Sequence, residues 1–376
     1  MQVLVGAKLF DGRRFRESAA LVIEGERIAA VVPHREAPRR GRRDLGGGVL
    51  SPGLIDIQVN GGGGVLFNDD PTPQGIRAIQ SAHRRFGTTG LLPTVITDAP
   101  KVLKDALSAQ REAIPGVIGV HVEGPFIDVR RKGAHPEAFI RPLDDEAVGE
   151  LIAAKAGAMI VTLAPASATP ALIKTLVESG IVVSVGHAEA TDAEALACFD
   201  AGAKAVTHLF NAMSQLQGRA PGLVGAALSD SRIVCGLIAD GHHVARTAVR
   251  AAVAAKGPEG LALISDAMPP AAGGPPSFRL QGREVALKNG RLELADGTIG
   301  GAAITLVEAV RWIVNEAKVP LADALSMATL TPARLIGQGR LRGRLAKGYV
   351  ADLVHLSDSL EAKETWIGGV AAPSST

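Results

Sequence analysis

Two cysteines, Cys198 and Cys235, are too few for a disulfide framework or a thiolate cage, so a metal held by this chain has to use imidazole and carboxylate donors. Aromatic residues are also scarce, at 3% of 376 positions, which removes the stacking platforms on which bases are read. Charge of one sign is missing too: 40 basic residues stand against 38 acidic ones, for a formal +2, so no phosphate-backbone footprint is present. A nucleic-acid partner is not expected. No apolar run approaches membrane-spanning length, and the opening MQVLVGAKLFDG lacks a basic stretch followed by a long apolar one. The expected location is cytoplasmic, with no membrane partner.

What is present, 47% hydrophobic and 21% charged residues, suits a large core with a small accessory domain. Arg39, Arg40, Arg42 and Arg43 form the densest basic run, in a Pro/Gly-rich connection that reads as a solvated surface loop. Residues 1–50 look like short strands separated by turns such as Asp11-Gly12 and Glu24-Gly25. From residue 49 apolar runs alternate with amphipathic stretches: VLSPGLIDIQVN, TTGLLPTVI, GVIGVHVE, AMIVTLAP, IVVSVGH, AKAVTHLFN, RIVCGLIADG and LALISDAM. Eight such units predict an α/β fold, a (β/α)8 TIM-like barrel over 51–339. An open doubly wound sheet is disfavoured because no G-x-G-x-x-G follows the first run and no P-loop is present. Thr191 and Glu194 have capping-box spacing at the head of one helix. An Asn289-Gly290 hairpin signal marks a β insertion near 276–299. Residues 340–376 return to strands and turns, and with 1–50 are expected to form a small β-sandwich domain built from both termini.

In such a barrel the chemistry collects at the C-terminal strand ends. The polar residues that end the runs are Gln58 and Asn60, Glu123, His187, His208 and Asp266. A carboxylate inside IGVHVEGPF is costly unless it meets a cation. Two imidazoles and one carboxylate with an open position make a hydrolytic metal set, and Glu123, His187 and His208 supply it. A single His or Glu at a strand end is more often a hydrogen-bonded rim residue; three on one rim weaken that reading. His121 shares a strand face with Glu123 by period-two alternation, and a supporting or core role is favoured for it. Asp266 is a candidate general base and acid or a second metal ligand, and the sequence leaves both open.

Six stretches carry a resemblance: PGLIDIQVNG (52–61), HVEGPFI (121–127), KGAHPEAF (132–139), VGHAEA (185–190), THLFNAM (207–213) and SDAM (265–268). In this order they resemble the amidohydrolase superfamily over essentially the full chain, and within it the N-acetylglucosamine-6-phosphate deacetylase family. Gln58-Val59-Asn60 stands where many superfamily members carry His-x-His, which implies one divalent ion per subunit rather than two. Zinc is expected, and iron, cobalt or manganese suit the same donors. The resemblance implies Glu123, His187 and His208 as ligands, Asp266 as acid and base, and His135 as the group polarising the carbonyl. It further implies sugar and phosphate contacts from Ala134, Asn211, Ala212, Arg219, His243, Ile299, Gly300 and Gly301, in a homodimer whose Arg219 reaches across the interface. The implied reaction is hydrolysis of N-acetylglucosamine 6-phosphate to glucosamine 6-phosphate and acetate. The alternatives are deacylation of another N-acylated sugar or amino acid, or a catalytically inactive binding protein on the same fold.

Overall fold

The structure, a computed structural model, describes residues 1–373. Eight parallel strands run in chain order, each hydrogen-bonded to the next: β1 (Leu54–Val59), β2 (Thr88–Ile96), β3 (Gly119–Glu123), β4 (Ala158–Leu163), β5 (Val182–Val185), β6 (Ala205–Val206), β7 (Val234–Ile238) and β8 (Leu261–Ile264). Each lies inside one of the eight apolar runs. Parallel strands covered on both faces are apolar throughout rather than alternating, and all six residues of β1 are buried. One side chain in two points inward: Ile55, Ile57, Leu92, Ile160, Ala205, Ile238, Ala262 and Ile264 form a single inner cluster. At the seam between β1 and β8, Val59 bridges Ala267, the Asp266 N–H donates to the Gln58 carbonyl at 3.1 Å, and the Asp56 carboxylate accepts from Ser265 N–H at 3.2 Å. The sheet is thereby a nearly closed barrel.

Helices follow every strand: α1 (Pro73–Arg84), α2 (Pro100–Ala109), α3 (Asp145–Ala154), α4 (Pro170–Glu178), α5 (Asp192–Asp200), α6 (Gly222–Ser229), α7 (Arg246–Lys256) and α8 (Leu306–Asn315). Thr72, Asp144 and Thr169 cap three of them by accepting backbone N–H groups. Thr191 and Glu194 form the capping box expected from their spacing, and Thr305 with Glu308 forms a second. Between β8 and α8 lie three antiparallel strands, Ser277–Leu280, Arg283–Lys288 and Arg291–Glu293. The Asn289-Gly290 turn has φ of 50° and 84°, the pair of positive angles a two-residue hairpin needs. Leu280, Val285 and Leu292 of this insertion pack against Leu66, Ile96 and Met268, which brings it over the strand ends.

Both chain ends contribute to the remaining sheets. Arg27–Pro33, Ala19–Glu24, Gln2–Val5 and Arg42–Asp44 make a four-stranded sheet. A six-stranded sheet joins Lys8–Phe10, Phe15–Arg16 and Val49–Pro52 to Leu353–Leu356, Ala362–Ile367 and Val370–Pro373. Leu4, Leu21 and Ile23 from the first sheet share a core with Leu9, Leu50, Leu353 and Trp366 from the second. Two sequence expectations are corrected here. The run VLSPGLIDIQVN is divided at Gly53, with Val49–Pro52 pairing into the terminal sheet; a Cβ on Gly53 would fall 2.1 Å from the Thr89 hydroxyl, so only glycine fits the crossing point. Arg42 and Arg43 belong to a strand rather than a loop, where the Arg43 guanidinium pairs with Glu364 and Arg42 donates to the Ala37 carbonyl. Among the described residues no helix is long and apolar enough to cross a membrane.

Candidate active site

The ends of β3, β5, β6 and β8 aim their last polar residues at one point. His187, His208 and Asp266 all take left-handed backbone angles, with φ of 49°, 31° and 49°, just beyond the strands that carry them. Such angles cost of order 1–3 kcal/mol each in a residue other than glycine, and they persist here where the strand ends and its side chain turns into the mouth. Glu123 needs no such turn, because period-two alternation in β3 already faces it inward, and Gly124 takes the positive φ after it.

The three side chains converge. Oε1 of Glu123 lies 3.1 Å from Nε2 of His208 and 3.4 Å from Nε2 of His187, and the two Nε2 atoms are 3.0 Å apart. All three residues are buried, Glu123 at 3% exposure. His187 Nδ1 donates to the Arg131 carbonyl at 2.9 Å, which leaves Nε2 with its lone pair, while Nδ1 of His208 is buried without a partner. Burial pushes the Glu123 carboxyl up, but the His187 and His208 imidazoles beside it outweigh that and hold it well below the ordinary value. Burial disfavours the charged form of His208, yet its hydrogen bond to Glu123 and the nearby carboxylates raise its pKa.

These donors fit a metal. A tetrahedral ion with ligands at about 2.0–2.1 Å separates its donor atoms by about 3.3–3.4 Å, close to the spacing of this trio. Three electron-rich atoms packed this tightly repel one another unless a cation sits among them. Glu123, His135 and His187 also offer ligand atoms within 4.8 Å of one another, so His135 stands within reach of the same point. His208 brings its Nε2 to 3.1 Å from Glu123 Oε1 and 3.0 Å from His187 Nε2.

Asp266 borders this cluster. Its Oδ1 accepts from the Asn60 side-chain amide at 2.7 Å and from Gln58 at 3.1 Å, and the same Gln58 nitrogen donates to Glu123 at 2.9 Å. With Oδ1 engaged twice, Oδ2 is the oxygen free to exchange a proton. Burial and the Glu123 charge push the Asp266 carboxyl up to about 6, against the charge of His208 and the Asn60 hydrogen bond, which pull it down. His135 is buried, with Nδ1 2.8 Å from the Thr97 hydroxyl; burial first, and the adjacent His187 second, hold its pKa well below the usual imidazole value, so it is neutral.

A cavity of about 410 Å³ opens over these groups. Ala134, Asn211, Ala212, His243, Ile299, Gly300 and Gly301 line it together with Glu123, His135, His187, His208 and Asp266. Arg219 stands apart, exposed on the 215–220 loop, and is not among the lining residues. His121 has both ring nitrogens occupied, by the Ile57 carbonyl at 3.0 Å and the Thr162 hydroxyl at 2.8 Å, so it braces the barrel interior below the cluster. Sequence reasoning missed Arg130 and Arg131, which line the cavity while pairing with Asp128 and Glu189. The run RRKGAH, with two arginines just before a predicted site segment, was the available signal. Thr97 carried no signal, because its partner lies 38 positions away.

Residues 49–372 match the model of the amidohydrolase family. The chain belongs to the amidohydrolase family. It is 42% identical over 329 residues to an N-acetylgalactosamine-6-phosphate deacetylase of Shewanella sp. (strain ANA-3), covering 86% of this chain and 83% of that protein. It is 37% identical over 361 residues to an N-acetylglucosamine-6-phosphate deacetylase of Haemophilus influenzae, covering 93% of each. The crystal structure of N-acetylglucosamine-6-phosphate deacetylase from Pasteurella multocida superposes with a TM-score of 0.96 at 34% identity, over 99% of both chains.

Proposed function

We propose that this amidohydrolase removes the acetyl group from an N-acetylhexosamine 6-phosphate, with N-acetylglucosamine 6-phosphate as the substrate. The observation that carries the reading is the packing of Glu123 Oε1 and the Nε2 atoms of His187 and His208 within 3.4 Å of one another, beside Asp266. Glu123, His187 and His208 would hold one divalent cation. That cation supplies Lewis acidity when bound, polarising the amide carbonyl and making water acidic enough to attack at neutral pH.

The chain's own groups do the rest. Asp266 takes a proton on Oδ2 as water adds to the carbonyl carbon, then passes that proton to the nitrogen as the C–N bond breaks, so that the amine leaves neutral. Gln58 and Asn60 keep Oδ1 occupied and the carboxylate correctly turned. With the Thr97 hydroxyl donating to Nδ1, His135 keeps its proton on Nε2 and donates to the oxygen on which negative charge develops. The products are acetate and the hexosamine 6-phosphate. Backbone N–H groups of Ile299, Gly301 and Ala212 suit phosphate or sugar oxygens, because a glycine-containing loop allows close approach, while the Gly300 N–H is engaged by the Leu292 carbonyl at 3.0 Å. In this reading Arg219 serves the phosphate of a partner subunit, bidentately, from its exposed loop.

The galacto epimer is the second reading, favoured by the 42% identity to an N-acetylgalactosamine-6-phosphate deacetylase. Steady-state kcat/KM for both epimers, each with and without its 6-phosphate, tests the proposal. A strong preference for a phosphorylated N-acetylhexosamine is expected. Equal turnover of unphosphorylated sugars or of N-acyl amino acids would overturn it.

A further inference from the structure

Asp240 sits two residues beyond β7 and makes three hydrogen bonds to the loop that follows. Its Oδ1 accepts the backbone N–H groups of His242 at 2.8 Å and His243 at 2.9 Å, and its Oδ2 meets Nδ1 of His243 at 2.6 Å. Both side chains are nearly buried, at 3% exposure for Asp240 and 6% for His243. Burial pushes the Asp240 carboxyl up, but the hydrogen bond from His243 and the two backbone donors outweigh it, so the pKa lies below the ordinary value. An ionised carboxylate can only accept, so Nδ1 of His243 carries the proton.

The two adjacent imidazoles are thereby given different work. His242 packs under the tip of the insertion, where a Cβ on Gly290 would fall 2.4 Å from its Nε2. His243 lines the cavity beside Asp266, and its Nε2 bonds to no described residue. An imidazole nitrogen at a cavity wall, held by a buried carboxylate on the other side, is an oriented polar group awaiting a partner.

We propose that Asp240 is a positioning residue that locks His243 in the Nδ1-protonated tautomer, so that Nε2 accepts a hydrogen bond from a ring hydroxyl of the substrate. This rests on the reading given under Proposed function. There Asp266 serves the nitrogen on C2, and His243 lines the same cavity. The hydroxyl is assigned to C1 or C3, the carbons flanking C2. Those positions have the same configuration in the gluco and galacto sugars, so His243 reads the hexosamine without separating the epimers.

Asp240→Asn is the informative change. The amide oxygen keeps both backbone N–H bonds, while the NH₂ faces Nδ1 and drives the imidazole proton to Nε2, turning an acceptor into a donor. Imidazole ¹⁵N shifts of His243 in the zinc-loaded protein, at mildly alkaline pH, read this directly: Nδ1 pyrrole-like in the unsubstituted protein and Nε2 pyrrole-like in the variant. In kinetics Asp240→Asn raises KM about tenfold for both epimers while kcat stays within about threefold, the size expected for one hydrogen bond. It causes no further loss on whichever 1-deoxy or 3-deoxy analogue lacks the partner hydroxyl. His243→Phe gives the same rise, and adding Asp240→Asn to it changes nothing more. An unchanged tautomer, an unchanged KM, or equal losses on parent and both deoxy analogues would overturn the proposal. If neither epimer is turned over, the substrate reading fails, while the ¹⁵N shifts still decide the role of Asp240.

Discussion

Nε2 of His187 lies 3.0 Å from Nε2 of His208, although the two residues follow different strands of the barrel. At most one proton fits between two such nitrogens, and Glu123 Oε1 completes the triangle at 3.1 and 3.4 Å. His187→Ala removes one corner. Elemental analysis of the purified variant is expected to give far less than one bound ion per chain, with the fold intact by circular dichroism. Full metal content in this variant would mean that the ion is held elsewhere.

Asp266→Asn separates binding from chemistry. The amide cannot take a proton from water, so kcat should fall by about 10²–10⁴. Metal content should stay at the unsubstituted level, because the proposal makes Asp266 the proton carrier and not one of the three donors. Loss of the metal together with turnover would instead make Asp266 a ligand.

The acid limb of the pH profile belongs to the same carboxylate. Its pKa is raised to about 6, and only the ionised form is a base, so kcat/KM falls as pH drops through that region. A bound cation moves the limb lower. Asn60→Ala deletes a hydrogen bond that favours the charged form, so the limb should move to higher pH than in the unsubstituted protein with the same metal. A profile that does not move would remove Asn60 from the control of this group.

Asp56 makes the corresponding prediction for stability. It lies fully buried at the β1–β8 seam, where burial pushes its carboxyl up to about 7 despite hydrogen bonds from Ser265 and Gln58. A carboxyl whose folded pKa exceeds its unfolded value favours folding most when protonated. Its contribution is therefore fully present at low pH and is lost as pH rises from the unfolded value near 4 through about 7, a change of roughly 4 kcal/mol. Asp56→Asn keeps an oxygen for the two backbone donors and cannot ionise. Denaturant titrations at mildly acidic and mildly alkaline pH should show a flatter stability profile for the variant.

How far the sequence foresaw this site depends on the range of the interactions involved. The eight strands were legible because each is an apolar run buried on both faces, and the capping box at Thr191 and the turn at Asn289-Gly290 are local chemistry written within four residues. The convergence of Glu123, His187, His208 and Asp266 on one mouth was legible because a polar residue closes each of their four runs. The division of the first run at Gly53 was not, since it depends on Leu353–Leu356 arriving from the far end of the chain to pair with Val49–Pro52. Nor were the hydrogen bonds from Gln58 and Asn60 to Asp266, which join residues more than 200 positions apart. Asp240 lay in plain view within RIVCGLIADG, but its claim on His243 rests on the curvature of a loop that no period or motif announces.

Acetate release from N-acetylglucosamine 6-phosphate, followed through removal of the metal by a chelator and its return as zinc, tests the whole account in one measurement. We expect one acetate for each free amine formed, turnover that disappears with the ion and comes back with it, and no recovery in His187→Ala. Turnover that persists in metal-free protein, or a zinc-loaded protein that releases no acetate from either epimer, would contradict it.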